Sequence, residues 1–231
     1  MARINRSTLT KLELIRYANK SFLEKGYSNT SINSIGKELN ISPGNITFHF
    51  PAKEHLLAAL VELLCDFQWK LMEKEANEGL SSIMAVCLEF ATIAAICEED
   101  EVAKDFFLSA YTSPLCLAII RKNDTERAKS VFKEYCVGWT QEQFEAAEIL
   151  TAGMEYSSLV TEDVTISLEA RIAGAVNGIL TIFQVPEEIR KVKIEKVLSM
   201  DYIKLGRKVL KEFKQYVDEE NEQALIDLIK G

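Results

Sequence analysis

The segment 27–57 concentrates side chains suited to contacting phosphates and base edges. Ser31 and Ser42 carry short hydroxyl groups, Asn45 carries an amide, and Lys53 carries an ammonium group. Such groups donate to phosphate oxygens, and an amide can read a base edge through paired hydrogen bonds. Residue types alone do not make a site, so the elements that would carry these side chains decide the interpretation.

The first of these elements is a short amphipathic helix. Ile32, Ile35 and Leu39 fall at i, i+3 and i+7, which places three apolar side chains on one helical face. Thr30 or Ser31 can cap its start, because a short hydroxyl side chain accepts a hydrogen bond from an orphan backbone N–H. The pattern therefore predicts a helix that packs against the core along one side.

A second short helix follows after a tight turn. Asn40 tolerates the left-handed conformation that such a turn needs. Ser42 is expected to cap the next helix, with Pro43 at its first position and with Ile46 and Phe50 pointing inward. Two short helices joined by a turn of three or four residues form a helix-turn-helix, whose second helix can enter the major groove of DNA.

Residues 10–57 resemble the DNA-binding domain of the TetR (tetracycline-repressor) family of bacterial regulators. The matching residues are Gly26-Tyr27, Thr30-Ser31-Ile32, Ile35-Gly36, Ile41-Ser42-Pro43-Gly44-Asn45-Ile46, His49-Phe50-Pro51 and Lys53-Glu54-His55-Leu56-Leu57. Three positions depart from the family pattern: Thr47 replaces a usual Tyr that contacts the DNA backbone, Gly36 a usual Ala, and Asn40 a usual Gly. The resemblance implies a DNA-binding regulator and covers about the first quarter of the chain.

The expected partner of this segment is double-stranded DNA. Thr30, Ser31 and Lys53 are expected to contact phosphates, because they lie at predicted helix N-termini. Asn45 is expected to read base edges, whereas Phe48 has two open interpretations, contact with a thymine methyl group or packing against the first helix. The complete predicted set is Thr30, Ser31, Ser42, Pro43, Gly44, Asn45, Thr47, Phe48, His49 and Lys53.

The charge distribution agrees with such a partner although the total charge does not. The 231 residues carry a net charge of −8, but residues 1–60 hold eight Lys or Arg against four Glu. That segment is therefore +4 and the rest of the chain −12, which concentrates attraction for phosphates at one end. Arg3 and Arg6 lie in a polar N-terminal arm, for which minor-groove contact and simple fraying both stay open.

An all-α fold is expected for the whole chain. Only 10 Gly and 4 Pro occur, and apolar residues recur at helical spacing throughout. We expect two domains, a helix-turn-helix DNA-binding domain over residues 1–52 and a larger helical ligand-binding and dimerisation domain over residues 53–231. A long helix from about Lys53 to Asn77 should join them without a flexible linker. The last helix is expected over 201–219, followed by a short tail.

The resemblance further implies a small-molecule pocket enclosed by helices four to eight, and a repressor that a small, largely apolar ligand releases from its operator. The sequence offers an apolar lining and two polar groups that can orient a ligand. The apolar candidates are Trp69, Phe90, Phe106, Phe107, Tyr111, Trp139, Met154 and Tyr156, and the polar candidates are Glu155 and Asn177. Aromatic side chains at helical spacing also make ordinary core, so that interpretation stays open.

Small residues indicate a homodimer interface. Ala170, Gly174 and Gly178 recur every four residues, and Ala146 with Gly153 gives the preceding helix a weaker stripe of the same kind. Glycine inside a helix costs roughly 1 kcal/mol relative to alanine, so a close neighbouring backbone is expected. The resemblance implies a four-helix bundle across a two-fold axis and a pseudo-palindromic operator. Packing of the stripe within one subunit is the alternative.

Other kinds of site find no support in the residues. His49 and His55 are six residues apart, which does not suit a metal pair on one helix, and no catalytic motif or cofactor-binding loop is present. Glu148 with Glu155, and the run 121–124, are expected to be solvated. The five cysteines read as buried thiols of a cytoplasmic protein, and no apolar run approaches the roughly 20 residues that span a bilayer. The open alternatives are a helical protein-interaction module and a DNA binder that needs no ligand.

Overall fold

The computed structural model describes residues 5–77, 79–160 and 165–230, and over these ranges it is built of helices alone, which confirms the all-α fold. Arg3 lies outside the described residues. The helices are α1 (Arg6–Lys25), α2 (Ile32–Leu39), α3 (Pro43–His49), α4 (Lys53–Asn77), α5 (Ser82–Glu99), α6 (Glu101–Thr112), α7 (Pro114–Phe132), α8 (Gln141–Val160), α9 (Leu168–Ile182), α10 (Glu187–Leu198) and α11 (Tyr202–Lys230).

The first three helices, here called the head, close around a small apolar core. Leu14 and Phe22 of α1, Ile35 of α2 and Ile46 of α3 are fully buried. Ile35 and Ile46 come from the inward faces that their spacing predicted. Burying a side chain of this size stabilises the fold by roughly 1.5–3 kcal/mol, so these four contacts fix how α2 and α3 lie on α1.

The turn between α2 and α3 has the predicted left-handed residue. Asn40 adopts φ 54 and ψ 40, and its N–H donates to Gly36 and Lys37 carbonyl oxygens. The N–H of Ile41 also donates to the Gly36 carbonyl oxygen at 2.8 Å. A Cβ atom added at Gly36 would lie only 2.6 Å from the Ile41 carbonyl oxygen. The turn therefore approaches α2 closely at the position where this chain departs from the usual alanine.

Helix α4 continues from the head into the remaining helices, here called the body. It packs against α1 of the head and against α7 and α5 of the body. Leu57, Leu60 and Leu64 of its apolar stripe are buried, as their spacing predicted. Because one helix takes part in both packings, the domain boundary after residue 52 stays a prediction.

The C-terminal region differs from the sequence-based expectation. α11 runs unbroken from Tyr202 to Lys230 and packs on both α5 and α1, so the predicted end near residue 219 is wrong. Phe213, Val217 and Asn221 continue one buried face past that point, and Asn19 of α1 donates to the Asn221 side chain. No Gly or Pro occurs from residue 207 to residue 230, and the contact with α1 extends the helix where the polar sequence had indicated an end.

The five cysteines lie in the interior, as the sequence predicted. Within the described residues all five cysteines are buried and unpaired, and burial raises the thiol pKa of Cys65, Cys87 and Cys97 to about 12. Such thiols are unreactive and act as small apolar side chains. None of the described helices has the length and apolar character to cross a bilayer.

Candidate nucleic-acid interface and interior cavity

Helix α3 presents one solvent-facing surface. The residues on this surface share high exposure and are Pro43, Gly44, Asn45, Thr47 and Phe48. On the opposite side Ile46 is fully buried and Phe50 nearly so. Ser42 caps the helix by accepting a hydrogen bond from the Asn45 N–H at 3.3 Å. The predicted contact residues of α3 therefore lie together on the free side of a helix held from behind.

Phe48 is the clearest outlier on this surface. Its side chain is 77% exposed, and its nearest aromatic partner is the neighbouring His49, edge-on at a centroid distance of 5.2 Å. The alternative that Phe48 packs against α1 is therefore wrong. An exposed large aromatic side chain on a short helix is available for contact with another molecule.

The start of α2 presents hydroxyl and backbone donors beside this surface. Ser31 is exposed, and its hydroxyl accepts from the Ser34 N–H at 3.0 Å. The Ser34 hydroxyl lies 3.0 Å from the Ser31 N–H in return. This reciprocal cap uses Ser at the third helical position, where Glu or Gln is more common. Its effect is to keep a negative side chain away from an N-terminus expected to meet phosphate.

Thr30 has a structural position in place of the predicted phosphate contact. Its side chain is 2% exposed, and its hydroxyl donates to the Gly26 carbonyl oxygen at 2.8 Å and lies 3.0 Å from the Ser21 hydroxyl. A buried hydroxyl with two local partners cannot reach a phosphate from this position. Thr30 therefore closes the loop between α1 and α2, and the exposed Ser31 is the cap.

Lys53 also makes local contacts. Its ammonium group donates to the Tyr27 and Thr30 carbonyl oxygens at 2.8 and 2.9 Å and lies 3.8 Å from the centre of the Tyr27 ring. Partial burial lowers the pKa of this amine. Lys53 thus ties the start of α4 to the loop before α2. The predicted phosphate contact stays a prediction, and it would have to share an ammonium that already has two acceptors.

The same loop is tied to the body through α6. The Ser28 N–H donates to Asp105 Oδ2 at 2.8 Å, and the Ser28 hydroxyl donates to Asp105 Oδ1 at 2.5 Å. At Gly26, where φ is +92, an added Cβ would lie 2.8 Å from Asp105 Oδ2. Glycine therefore suits both the backbone conformation and the close approach of α6, which attaches the head to the body in addition to α4 and α11.

The body encloses a cavity of about 60 Å³. Helices α4 to α8 contribute to its wall, as expected, and α9 with its C-terminal cap adds two further apolar residues. The lining consists of Gln68, Val86, Glu89, Phe90, Ile93, Tyr111, Asp124, Arg127, Ala128, Phe132, Glu148, Thr151, Glu155, Leu159, Ile179 and Phe183. Its wall is therefore half aliphatic and aromatic and half polar, with four carboxyl groups.

One guanidinium group holds two of these carboxylates. Both terminal nitrogens of Arg127 donate to the Glu89 carboxylate, and Arg127 Nη1 also donates to Asp124 Oδ1 at 3.1 Å. The Arg127 side chain is only 8% exposed. The Asp124 position corrects the sequence-based expectation of a solvated run over 121–124, because only Lys122 of that run is exposed.

The other two carboxyl groups lie on α8 and lack a basic hydrogen-bond partner among the described contacts. Glu155 accepts a hydrogen bond from the Tyr111 hydroxyl at 2.6 Å, whereas Glu148 is 2% exposed and its Oε1 has no partner. Burial, followed by the nearby Asp124 charge, raises the pKa of Glu148 to about 10 and that of Glu155 to about 8. The expectation that these two carboxylates are solvated is therefore wrong.

Comparison with known proteins begins with the head. The family model described as bacterial regulatory proteins of the tetR family matches residues 14–60, which contain the helix-turn-helix and the start of α4. Over these residues the chain is similar to the TetR family. One curated relative, the uncharacterized HTH-type transcriptional regulator YuxN of Bacillus subtilis (strain 168), is 42% identical over 53 residues. That match covers 23% of this chain and spans only 18% of the relative's length.

Solved structures of similar proteins cover more of this chain at lower identity. CprB, a TetR family protein from S. coelicolor A3(2), is 21% identical over 90% of this chain and 100% of its own, with a TM-score of 0.43. A gamma-butyrolactone receptor (ArpA like protein) is 20% identical with the same coverages and a TM-score of 0.45. Salmonella enterica GusR is 19% identical over 81% of this chain and 96% of its own, with a TM-score of 0.43.

The predicted pocket residues divide into three groups. Those that line the cavity are Phe90, Tyr111 and Glu155. Four others pack near the cavity without lining it. Trp69 donates to the Asn123 side chain, and Trp139 contacts Phe144 and Phe183. Met154 lies beside Gly178, and the Tyr156 ring lies 6.4 Å from the Tyr111 ring. Those placed elsewhere are Phe106 and Phe107, which pack in the core near Phe213, and the exposed Asn177, which accepts from Arg190.

The small residues of α8 and α9 lie on an outer face of the body. Ala146, Gly153, Ala170 and Gly174 are exposed, and a Cβ added at Gly153 or Gly174 would meet nothing within 4 Å. Only Gly178 has an internal neighbour, Met154 Sδ at 2.7 Å from an added Cβ. The alternative of packing within one subunit therefore accounts for one of the five predicted residues.

Sequence reasoning missed the polar half of the cavity wall. On α8, polar residues interrupt an apolar stripe that is otherwise buried. The residues of this stripe follow one another at spacings of three and four and are Phe144, Glu148, Thr151, Glu155 and Leu159. On α7, Arg127 falls between the buried Ile120 and Val131 in the same way. A charged residue within an apolar stripe was the feature of the sequence that could have indicated a polar cavity wall.

Proposed function

We propose that this chain is a homodimeric transcriptional regulator that binds a pseudo-palindromic DNA operator and releases it when a small molecule occupies the body. The observation that carries the proposal is the exposed outer surface of α3 on a head whose other side is fully packed. A short helix fixed in this way can enter a major groove without rearrangement of the head.

The surface chemistry of the head supports DNA as the partner. Asn45 is exposed in the first turn of α3 and can pair with an adenine edge, and Phe48 can contact a thymine methyl group. Exposed basic side chains surround the helix-turn-helix on α1 and α2. They are Arg6, Lys11, Arg16, Lys20, Lys25 and Lys37. Contacts of this kind with phosphates supply affinity that does not depend on sequence.

The outer face of α8 and α9 supports a two-fold dimer. Ile149 and Leu150 of α8 are 52% and 59% exposed, and they lie about one turn before the bare position Gly153 on the same helix. An apolar surface with small residues in it lets two helices approach closely and buries its own area when paired. One α3 reads few base pairs, and a dimer reads two half-sites roughly 34–36 Å apart.

Two helices support the coupling of an occupied cavity to the head. α4 carries Gln68 at the cavity and Lys53 at the loop before α2, whereas α6 carries Tyr111 at the cavity and Asp105 at the same loop. A ligand with different affinities for two arrangements of these helices shifts the spacing of the two heads. Release of the operator follows when that spacing no longer fits the half-sites.

The test is salt-dependent retention of the purified protein on duplex DNA. For a protein that neutralises several phosphates, affinity falls linearly with salt on logarithmic axes. Asn45→Ala should change the preferred sequence while leaving the salt slope in place, and Gln141→Ala, which removes an exposed amide on α8, should change neither. Retention that does not weaken with salt would favour the alternative of a protein-interaction module.

A further inference from the structure

The cavity in the body has more acid than base. Among the described residues, four carboxyl groups line it, and they belong to Glu89, Asp124, Glu148 and Glu155. The guanidinium group of Arg127 also lines it. Arg121 lies close enough to lower the pKa of Glu148 but does not line the cavity. Even with both arginines counted, fully ionised side chains would leave two negative charges in excess around an enclosed space.

Two side chains of α8 in the wall have polar atoms without partners, as does the Nε–H of Arg127 on α7. Glu148 is 2% exposed and its Oε1 makes no hydrogen bond, and Thr151, one turn further along α8, is 5% exposed with an unpartnered hydroxyl. Both line the cavity. Buried polar groups are nearly always hydrogen-bonded, and leaving one unpaired costs roughly 1–3 kcal/mol. A donor that enters the cavity and reaches Glu148 and Thr151 would remove this cost.

The remaining wall suits an apolar body attached to that donor. Phe90, Phe132 and Phe183 present aromatic rings, with Phe132 and Phe183 stacked at a centroid distance of 4.3 Å. Aromatic faces attract cations as well as apolar groups. Both kinds of side chain line one cavity of about 60 Å³, so a single small molecule can contact both.

We propose that the effector of this regulator is a small organic cation, with an ammonium-type donor at Glu148 and Glu155 on α8 and an apolar portion against Phe90, Phe132 and Phe183. The inference rests on the proposed function in that it names the ligand class of the same regulatory cavity. An inorganic cation is disfavoured by geometry, because within the described residues no group of three His, Cys, Asp or Glu side chains is arranged to hold a metal ion.

Binding of an ammonium group would displace protons from the Glu148 and Glu155 carboxyl groups. With raised pKa values, Glu148 and Glu155 are largely protonated near neutral pH in the absence of ligand. A cation favours their ionised forms, so binding should release about one proton per ligand. The ionisable groups that face them are Glu89 from α5, Tyr111 from α6, and Asp124, Arg127 and Arg121 from α7.

The experiment compares three probes of one shape by titration calorimetry on the purified full chain without DNA. Benzylamine carries a positive charge at neutral pH, benzyl alcohol is neutral, and benzoate is negative. Benzylamine should bind about tenfold or more tightly than benzyl alcohol, since charge-assisted hydrogen bonds are the stronger kind. Benzoate should not bind. In buffers with different ionisation enthalpies the benzylamine heats should differ by the amount that proton release requires.

Variants identify the site. Glu148→Gln and Glu155→Gln keep size and hydrogen-bonding capacity but remove charge, so each should reduce benzylamine affinity about tenfold and leave benzyl alcohol unchanged. Glu195→Gln, an exposed carboxylate on α10, is the matched control and should change neither. Thermal unfolding of each variant checks that the fold persists. Benzylamine binding no tighter than that of benzyl alcohol, or equal in all three variants, would overturn the proposal.

The proposal and the proposed function fail in different measurements. Calorimetry on the protein alone detects the cation whether or not the head binds DNA. Selective benzylamine binding with no salt-dependent DNA retention would keep the ligand class and reject the regulator. Retention on DNA without any preference for benzylamine would reject the ligand class and keep the regulator.

Discussion

At the scale of single residues, the informative positions are those that break a local rule. Glu148 is a buried carboxyl group with an unpartnered oxygen, and Phe48 is a large aromatic side chain that is 77% exposed. Either arrangement lowers the stability or solubility of the free protein. Strongly perturbed carboxyl groups in a cavity and exposed apolar residues on a helix are both features of functional surfaces.

Glu148→Gln should stabilise the protein in a pH-dependent manner. The pKa of Glu148 is raised in the folded state, so folding retains a proton that the unfolded chain loses above its ordinary value. Stability from this group therefore falls as pH rises through neutrality, by about 1.4 kcal/mol per pH unit for each retained proton. Urea unfolding at pH 5 and pH 8 should show the variant gaining on the parent at pH 8. An equal difference at both pH values would contradict the raised pKa.

Phe48→Ala should separate binding from stability. Because the side chain is exposed, its loss should change the free energy of unfolding by no more than about 0.5 kcal/mol. DNA retention should nevertheless weaken at all salt concentrations. Ile46→Ala on the buried side of the same helix is the contrast, with an expected cost of about 2–5 kcal/mol in stability. A large stability loss in Phe48→Ala would show that the ring packs within the protein.

At the scale of elements, the sequence predicted best where local chemistry decides the structure. The Ser31 and Ser42 caps, the left-handed Asn40 and the buried stripe of α4 follow from rules that involve only near neighbours in the chain. The full length of α11 and the cavity position of Asp124 depended on helices far away in sequence. A single helix pattern cannot show that an acidic residue will meet Arg127 and Glu89 from another helix, so the polar half of the cavity could not be predicted.

The contact between α6 and the head is the element-scale feature that patterns did not reveal. Asp105 accepts two hydrogen bonds from Ser28, and Tyr111 on the same helix lines the cavity less than two turns away. α6 and α4 thus span the distance between cavity and head in parallel. A change at the cavity that moves either helix must also move the loop before α2.

Asp105→Ala should weaken the coupling between ligand and DNA. The measured quantity is the ratio of DNA affinities without and with benzylamine, which for coupled sites is typically about 5- to 150-fold. The variant should bring this ratio closer to one, and Ser28→Ala, which removes one of the two hydrogen bonds, should have an intermediate effect. An unchanged ratio in both variants would mean that the contact between Asp105 and Ser28 does not carry the coupling.

At the scale of the whole molecule, charge and shape divide the chain into two ends. The N-terminal 60 residues are basic and the remainder strongly acidic, so DNA is attracted to one end and repelled from the other. The exposed face of α8 and α9, with Ile149, Leu150 and Gly174, lies in the acidic part. Pairing through that face would leave both heads free for adjacent half-sites.

Gly174→Leu should convert the proposed dimer into a monomer without loss of the fold. A Cβ at this position meets nothing within the chain, and replacing helical glycine favours the helix by up to roughly 1 kcal/mol. Light scattering should therefore report half the parent's mass, with unchanged or higher thermal stability. Lys122→Leu places the same side chain on an exposed site of α7 and should remain dimeric. A monomeric parent at micromolar concentration would reject the interface.

Selection of binding sites from a pool of random DNA duplexes tests the central claim most directly. The purified parent protein should enrich an inverted repeat whose half-site centres lie roughly one helical turn, or a multiple of it, apart. The same selection with Asn45→Ala should change bases within each half-site and keep the spacing. A pool that shows no enrichment, or that enriches a single unrepeated site with the parent protein, would contradict the account of a two-fold DNA-binding regulator.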